Sequence, residues 1–533
     1  MSHGDFIVYF MPPNTAIEGL LSDSTRPCII TEEDFQKLIK QGNDVFIYES
    51  KVYKINNFVA KHPGGEAALR SALGRDVTDE IRTMHPPKVY EKMINLYYIG
   101  DYISERRPSV ASVSYQQQQQ QKKTDNEPIL TATWKGGMSM KAFDDAIEDL
   151  HKHHFNDLSK DVIHQQNLDY EKTREAFKRL EADIRSRGLF QCNYWKYAKE
   201  GCRYTLFIFL SLWFTLKGTT TWHYIMGAIF MAMFWHQLVF TAHDAGHNAI
   251  TGKSEIDHVI GVIIANFIGG LSLGWWKDNH NVHHIATNHP EHDPDIQHLP
   301  FFAITTKFFN NLYSTYYKRV LPFDAVARFF IQYQHHLYYL ILSFGRFNLH
   351  RLSFVYLFTS KDVRTRKLEL IGITCFFIWF GNLLSYLPTW KIRLAYIFIS
   401  YMLTFPLHVQ ITLSHFGMST EDKGPNEPFP AKMLRTTMDV DCPEWLDWFH
   451  GGLQYQAVHH LFPRLPRHNL RQCVPLVKKF CDEVGLHYYM YNFSTGNGVV
   501  LGALKSVADQ VSFMNEVAKN NAEIWAGGEP KKL

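Results

Sequence analysis

The sequence predicts a two-part protein: a small N-terminal α+β domain and an all-α membrane body with about four transmembrane helices in two hairpins. Three observations lead there. Four long apolar stretches follow residue 200, six consecutive glutamines occupy residues 116–121, and the residues before them carry short strand-like and helix-like patterning with no spanning run. At 533 residues the chain has room for several domains.

Residues 28–103 form the predicted first domain. VFIYESKVYKINNFV (45–59) reads as a pair of strands, and Leu69, Leu73, Val77 and Ile81 follow at near-helical spacing. Between them stands HPGG (62–65), a sharp turn where backbone can approach a flat ligand. A second histidine, His85, comes 23 residues later, so two opposed imidazoles could clamp a haem from both faces. This stretch resembles the cytochrome b5 family over residues 28–103. The resemblance implies haem b with His62 and His85 as axial ligands, and an electron carrier whose potential is set by ligands and burial.

Next comes RRPSVASVSYQQQQQQKKTDNEP (106–128), which cannot bury enough apolar surface to order itself. Residues 104–135 are therefore expected to be a flexible tether. Residues 136–200 are charged and helix-like. The cluster HKHHF (151–155) within them reads as a solvated helix face. The membrane body is placed at 201–490 and a C-terminal tail at 491–533.

Within the body, residues 222–242, 368–388 and 394–413 are long enough to span a hydrocarbon core, which needs ~20 helical residues. The stretch 204–216 is shorter, but the GTTT link behind Lys217 pairs it with the second. TWKIR likewise joins the third to the fourth. Two hairpins put the flanking segments on one side. Lys361, Arg364, Arg366 and Lys367 favour the cytosol for that side, although Lys391 and Arg393 sit in the opposite turn. VIGVIIANFIGGLSLGWW (259–276) reads as an interfacial or re-entrant helix.

Bulk properties exclude several classes. Lys and Arg total 55 against 52 Asp and Glu with no polybasic block, so nucleic acid is not an expected partner. Seven scattered cysteines without a CxxC pair imply reduced thiols. MSHGDFIVYFMPPN lacks the pattern of a cleavable signal peptide. Histidine is the anomaly: residues 236–298 hold ten of the chain's 28, about three times an even share.

Three clusters account for the chemistry. HDAGH contributes His243 and His247, HNVHH contributes His280, His283 and His284, and QAVHH contributes His459 and His460. Spacings of three and four put imidazoles on one helical face. Seven such donors exceed one tetrahedral zinc, imidazole suits iron, and no HExxH base for zinc hydrolysis is present. A polynuclear iron site is the economical reading.

Here the chain resembles the membrane lipid desaturases, whose three histidine boxes bind two non-haem irons, over about residues 195–485. The resemblance adds His415, in ITLSHFG, as a further ligand. A fused cytochrome b5 domain and a third box opening with Gln456 are the pattern of front-end desaturases. Three segments, 275–304, 333–349 and 447–470, look most like sphingolipid Δ8-desaturases of fungal type. In the third box many acyl Δ6 enzymes carry an acid where Val458 stands. The resemblance thus implies O2-dependent desaturation of the ceramide long-chain base at the 8(9) position. Electrons would come through the fused haem from an NADH-cytochrome b5 reductase, in the endoplasmic reticulum membrane with haem and boxes facing the cytosol.

Gln456 is a candidate ligand or near-site residue, Asp244, Asp293 and Asp295 are candidate partners that orient ligand imidazoles, and Trp275 and Trp276 line the channel or the interface. Three alternatives stay open at this point: a fatty-acyl Δ6-type enzyme, a lipid hydroxylase, and a non-catalytic membrane haem carrier.

Overall fold

The computed structural model describes residues 28–103 and 139–526, except 166, 167, 362 and 426. The expected tether 104–135 and the N-terminal MSHGDFIVYFMPPN lie outside the described residues. The chain divides into two compact units between Ser109 and Val110, inside that tether.

The first unit is α+β, as expected. It runs β1 (Ile29–Thr31), α1 (Glu32–Lys40), β2 (Val45–Tyr48), β3 (Lys51–Lys54), α2 (Glu66–Arg70), α3 (Thr78–Met84) and β4 (Tyr98–Ile103). The sheet order is β1-β4-β3-β2, with β1 parallel to β4 and the other pairs antiparallel. Thr31 starts α1 through a reciprocal cap with Asp34. Alternation along the strands separates two apolar faces. Val45, Ile47 and Val52 pack under α1 with Phe35, whereas Phe46, Tyr48 and Tyr53 pack with Val59, Val77 and Tyr90 on the side of the HPGG turn.

The second unit is helical. α4 (Met140–Gln165) and α5 (Tyr170–Ser186) precede α6 (Tyr194–Lys217) and α7 (Thr221–Gly246). α8 (Ser254–Val262) continues irregularly to Ile268, and α9 (Leu273–Ala286) carries the second histidine box. After a small hairpin, β5 (Tyr313–Ser314) and β6 (Arg319–Val320), come α10 (Ala325–Gln332), α11 (Gln334–Ser343), α12 (Gly345–Thr359), α13 (Arg366–Ser385), α14 (Trp390–Met402) and α15 (Phe405–Leu413). The chain closes with α16 (Phe429–Thr436), β7 (Asp439–Asp441), α17 (Asp447–His450), α18 (Gln456–Leu461), α19 (Leu470–Val484), β8 (Met490–Asn492) and α20 (Phe493–Trp525).

Among the described residues, three helical segments are long and apolar enough to cross a membrane: Thr221–Gly246, Arg366–Ser385 and Trp390–Leu413. The bent pair Ser254–Ile268 and Leu273–Ala286, angled by 118°, would make a fourth. The shorter first stretch belongs to α6, 24 residues long, whose opening turns are polar. α6 packs along α7, with Ser211 Oγ donating to Gly227 O at 2.8 Å. Trp222 and Trp390, both strongly exposed, open α7 and α14 at the two short links, as interfacial aromatics do. The fourth apolar stretch is two helices rather than one. It breaks at Leu403–Thr404 before Pro406, whose missing N–H and ring are tolerated in the first turn of α15.

The stretch 259–276, expected to be interfacial or re-entrant, contains the bend, which is held by Glu369 of α13. This fully buried carboxylate accepts from Ser272 Oγ (2.6 Å), Asn266 Nδ2 (3.2 Å), Gly274 N (3.2 Å) and Thr365 Oγ1 (2.6 Å). Gly270 lies at the corner with φ +70°, and an added Cβ would stand 2.3 Å from the Phe376 ring.

Two regions behave differently from their sequence reading. The HKHHF cluster is not wholly solvated: His154 is 4% exposed and its ring bridges Tyr491 OH (2.8 Å) and Gly417 O (2.9 Å). The residues set apart as a tail carry α20, which buries Val500, Leu501, Leu504, Val507 and Val511 in the same core as Ile147 and Leu158 of α4.

Candidate metal centre

Four helices bring the boxes together. His243 lies in the last turn of α7 and His247 caps it. His280, His283 and His284 share α9, His459 and His460 lie on α18, and His415 follows α15 directly. The donor atoms sort into two groups, His243/His247/His280/His459 and His283/His415/His460, each with its atoms within 4.8 Å of one another. His284 lies between them, its ring 4.8 Å from those of His247 and His459 and 4.3 Å from His460.

The imidazoles are held from behind. His283 Nδ1 meets both oxygens of Asp293, at 2.9 and 3.1 Å. His415 Nδ1 donates to Thr436 O at 3.2 Å. Thr287 Oγ1 spends its proton on His283 O (2.7 Å), leaving a lone pair for His460 Nδ1 at 3.2 Å. Looser contacts link His243 Nδ1 to Asp244 (3.6 Å) and His280 Nδ1 to Asp295 (3.9 Å). The Nε2 atoms of His243, His247, His459 and His460 are buried with no hydrogen-bond partner among the described residues. His460 combines a ring engaged through Nδ1 with a bare Nε2 among the other imidazoles, which is how metal-bound histidine is oriented. Burial, reinforced by surrounding histidines, holds His459 and His460 well below the ordinary imidazole range, so their lone pairs are available. The residues present therefore fit two metal ions, and an all-imidazole donor set suits iron.

The three predicted aspartates all stand behind ligand candidates. Asp293, fully buried, also accepts from Asn288 N (2.7 Å) and Asp295 N (2.8 Å), so it is cap and imidazole partner at once. Asp295 accepts from Asn279, and Asp244 accepts from Tyr197 OH and the guanidinium of Arg467. Gln456 is buried as the first residue of α18, on the face that carries His459 and His460 one turn later. Val458 points elsewhere: it is fully buried in the apolar core with Phe177, Leu461 and Phe462.

Trp276 covers the first group, its ring 4.5 Å from His280, 5.3 Å from His243 and 5.5 Å from His247. The close fit needs Gly246, where an added Cβ would stand 2.0 Å from Trp276 Cζ3. Trp275 is buried.

In the first unit, the His62 and His85 rings face one another with centroids 5.9 Å apart. Their Nδ1 atoms are engaged by Gly65 O and Ile81 O, each at 3.2 Å. Phe58 stands 5.8 Å from the His62 ring, and with Leu69, Leu73, Ile81 and Tyr97 it is half-buried against the core on that side of the sheet, apolar surroundings that fit a haem.

Comparison with known proteins agrees with this geometry. The family model described as fatty acid desaturase matches residues 219–492, and that of the cytochrome b5-like haem/steroid binding domain matches residues 31–103. The chain belongs to the fatty acid desaturase family. It is 43% identical to a Delta 8-(E)-sphingolipid desaturase of Emericella nidulans, over 94% of this chain and 98% of that protein. A protein of the same description from Komagataella phaffii is 44% identical over 92% and 95%. Delta(8)-fatty-acid desaturase 2 of Arabidopsis thaliana is 34% identical over 94% and 98%. Membership makes the chain an oxidoreductase acting on lipid, and the matched b5 domain indicates haem.

Several residues of the desaturase site carry no sequence signal. Thr287 and Thr436 hold His460 and His415 from loop and helix-end positions outside any box. Arg467, in RLPRHN, is buried and donates to Phe240 O and Thr241 Oγ1 (both 3.1 Å) as well as to Asp244 and Glu200. Its position after the third box was the available hint.

Proposed function

We propose that the chain desaturates the long-chain base of ceramide at the 8(9) position with E geometry, using electrons delivered through its own cytochrome b5 domain. The observation that carries this reading is end-to-end similarity, haem domain included, to proteins described as Delta 8-(E)-sphingolipid desaturases.

In this reading His243, His247, His280 and His459 hold one iron and His283, His415 and His460 the other, with His284 between them and Gln456 beside them. Bound there, the irons supply O2-dependent oxidation of an unactivated methylene pair. The two hydrogens removed, with two protons and two electrons from outside, reduce O2 to two waters. The chain's own residues do the rest. Asp293, Thr287 and the Thr436 carbonyl fix the imidazoles so that each presents one nitrogen. Burial of His283, His284 and His460 keeps water away from the reacting carbons. His62 and His85 hold the haem, a cytochrome b5 reductase using NADH recharges it, and the segment 104–135 tethers it at high effective concentration. The apolar helices place the enzyme in a membrane, which we assign to the endoplasmic reticulum with boxes and haem toward the cytosol. We assign residues 28–103 to the haem domain, 136–200 to a segment before the membrane body, and 201–490 to the desaturase core.

The Arabidopsis relative is described as a fatty-acid desaturase, so the acyl chain is the rival substrate. Expression in a host lacking both products, followed by lipid analysis, separates the two. New Δ8-unsaturated long-chain bases are expected. New double bonds confined to fatty acids, or hydroxylated products, would overturn the proposal.

A further inference from the structure

Away from the boxes, three side chains from two helices converge. Asp144 lies in the first turns of α4, and His335 and His336 open α11. One donor atom from each lies within 4.8 Å of the others, and the two imidazole centroids are 3.8 Å apart. No hydrogen bond joins the carboxylate to the ring: His335 Nε2 stands 3.9 Å from Asp144 Oδ1. His335 is only 7% exposed, and its Nδ1 and Asp144 Oδ1 are both buried without a partner among the described residues. An unsatisfied buried polar atom costs about 1–3 kcal/mol, and this cluster holds two. The nearby ammonium of Lys505 is committed elsewhere, to Asp509 at 2.7 Å and Glu148 at 3.2 Å.

Two imidazoles and one carboxylate are a borderline-soft donor set, the kind that takes zinc with water in the fourth position. We propose that Asp144, His335 and His336 form a second metal site, distinct from the histidine boxes, which binds one Zn2+ and fastens the helix α4 to α11. The site joins segments distant in sequence, since α4 comes before the first apolar helix and α11 after the second box. An ion there would hold α4 against the body in addition to its packing on α20. The inference stands independently of the lipid substrate.

The test uses the full-length protein purified in detergent with haem and iron, equilibrated with Zn2+, separated from free metal and measured for zinc per haem. His336→Ala is the primary variant, because His336 is exposed. Asp144→Asn is the second. The double variant H283A/H284A reports zinc that has entered the boxes. The proposal expects both site variants to lose one zinc per chain, or to bind it at least tenfold more weakly, with haem and non-haem iron unchanged. Zinc should also slow hydrogen exchange in residues 140–165 of the wild type and not of H336A. Equal zinc in wild type, H336A and D144N would overturn it, as would zinc lost only in H283A/H284A.

Discussion

Asp293→Asn changes one buried atom behind the second metal group and leaves every ligand in place. The carboxylate now receives four contacts: His283 Nδ1 at 2.9 and 3.1 Å, Asn288 N at 2.7 Å and Asp295 N at 2.8 Å. All come from donors. An asparagine keeps one acceptor and turns an NH2 toward a backbone N–H, leaving a buried donor unpaired at a cost of about 1–3 kcal/mol. His283 also loses the charged partner that fixes its ring and raises its basicity, which typically lowers metal affinity 10–100-fold, or about 1.4–2.8 kcal/mol. Non-haem iron retained against a graded chelator, normalised to haem, measures the effect. One of two irons should be released at 10–100-fold lower chelator while the haem spectrum stays unchanged and product falls. A shift smaller than twofold would refute the claim that Asp293 orients a ligand.

His283→Ala with His284→Ala removes a donor from the second group and the imidazole between the groups, and should abolish product while the haem spectrum survives. His62→Ala should do the reverse, erasing the haem spectrum and NADH-driven turnover with non-haem iron retained. Gly246→Ala drives a methyl into Trp276 and should cost about 1–3 kcal/mol by melting, with loss of iron from the first group. Gly381→Ala, with nothing within 4 Å of its Cβ, is the neutral control. Arg467→Met leaves Asp244 and Glu200 buried without their cation and should destabilise by about 3–5 kcal/mol, seen as a lower melting temperature and reduced iron.

The boxes were legible because histidines three and four apart must share a helical face, whatever the tertiary structure. How they divide was not. His243 joins His459 across 216 positions, and His283 joins His415 and His460, through packing of α7, α9 and α18 that no local pattern encodes. The local enrichment of histidine was only partly about metal. His289 and His292 stack on each other at 4.1 Å near Asp422, and His236 stacks on Phe449 at 4.9 Å, both outside the two groups. The DPD aspartates stood out beside a box, whereas Thr287 and the Thr436 carbonyl did not, since a hydroxyl or backbone oxygen serves as partner wherever the fold brings it.

Helix α20 shows the opposite case. Val500, Leu504, Val507 and Val511 repeat at helical spacing, yet their moderate apolarity concealed a core position that depends on α4 folding back over it. The Val458 substitution also reads differently in the fold. Its side chain packs in the core away from the imidazoles, so an influence on substrate choice would act through the placement of α18.

The central claim is that histidines from three boxes and His415 hold two irons in a chain that also carries one haem. Metal and haem analysis of the purified full-length protein tests it most directly. The account predicts two non-haem irons per haem; one haem with no non-haem iron would contradict it and leave a membrane haem carrier in its place.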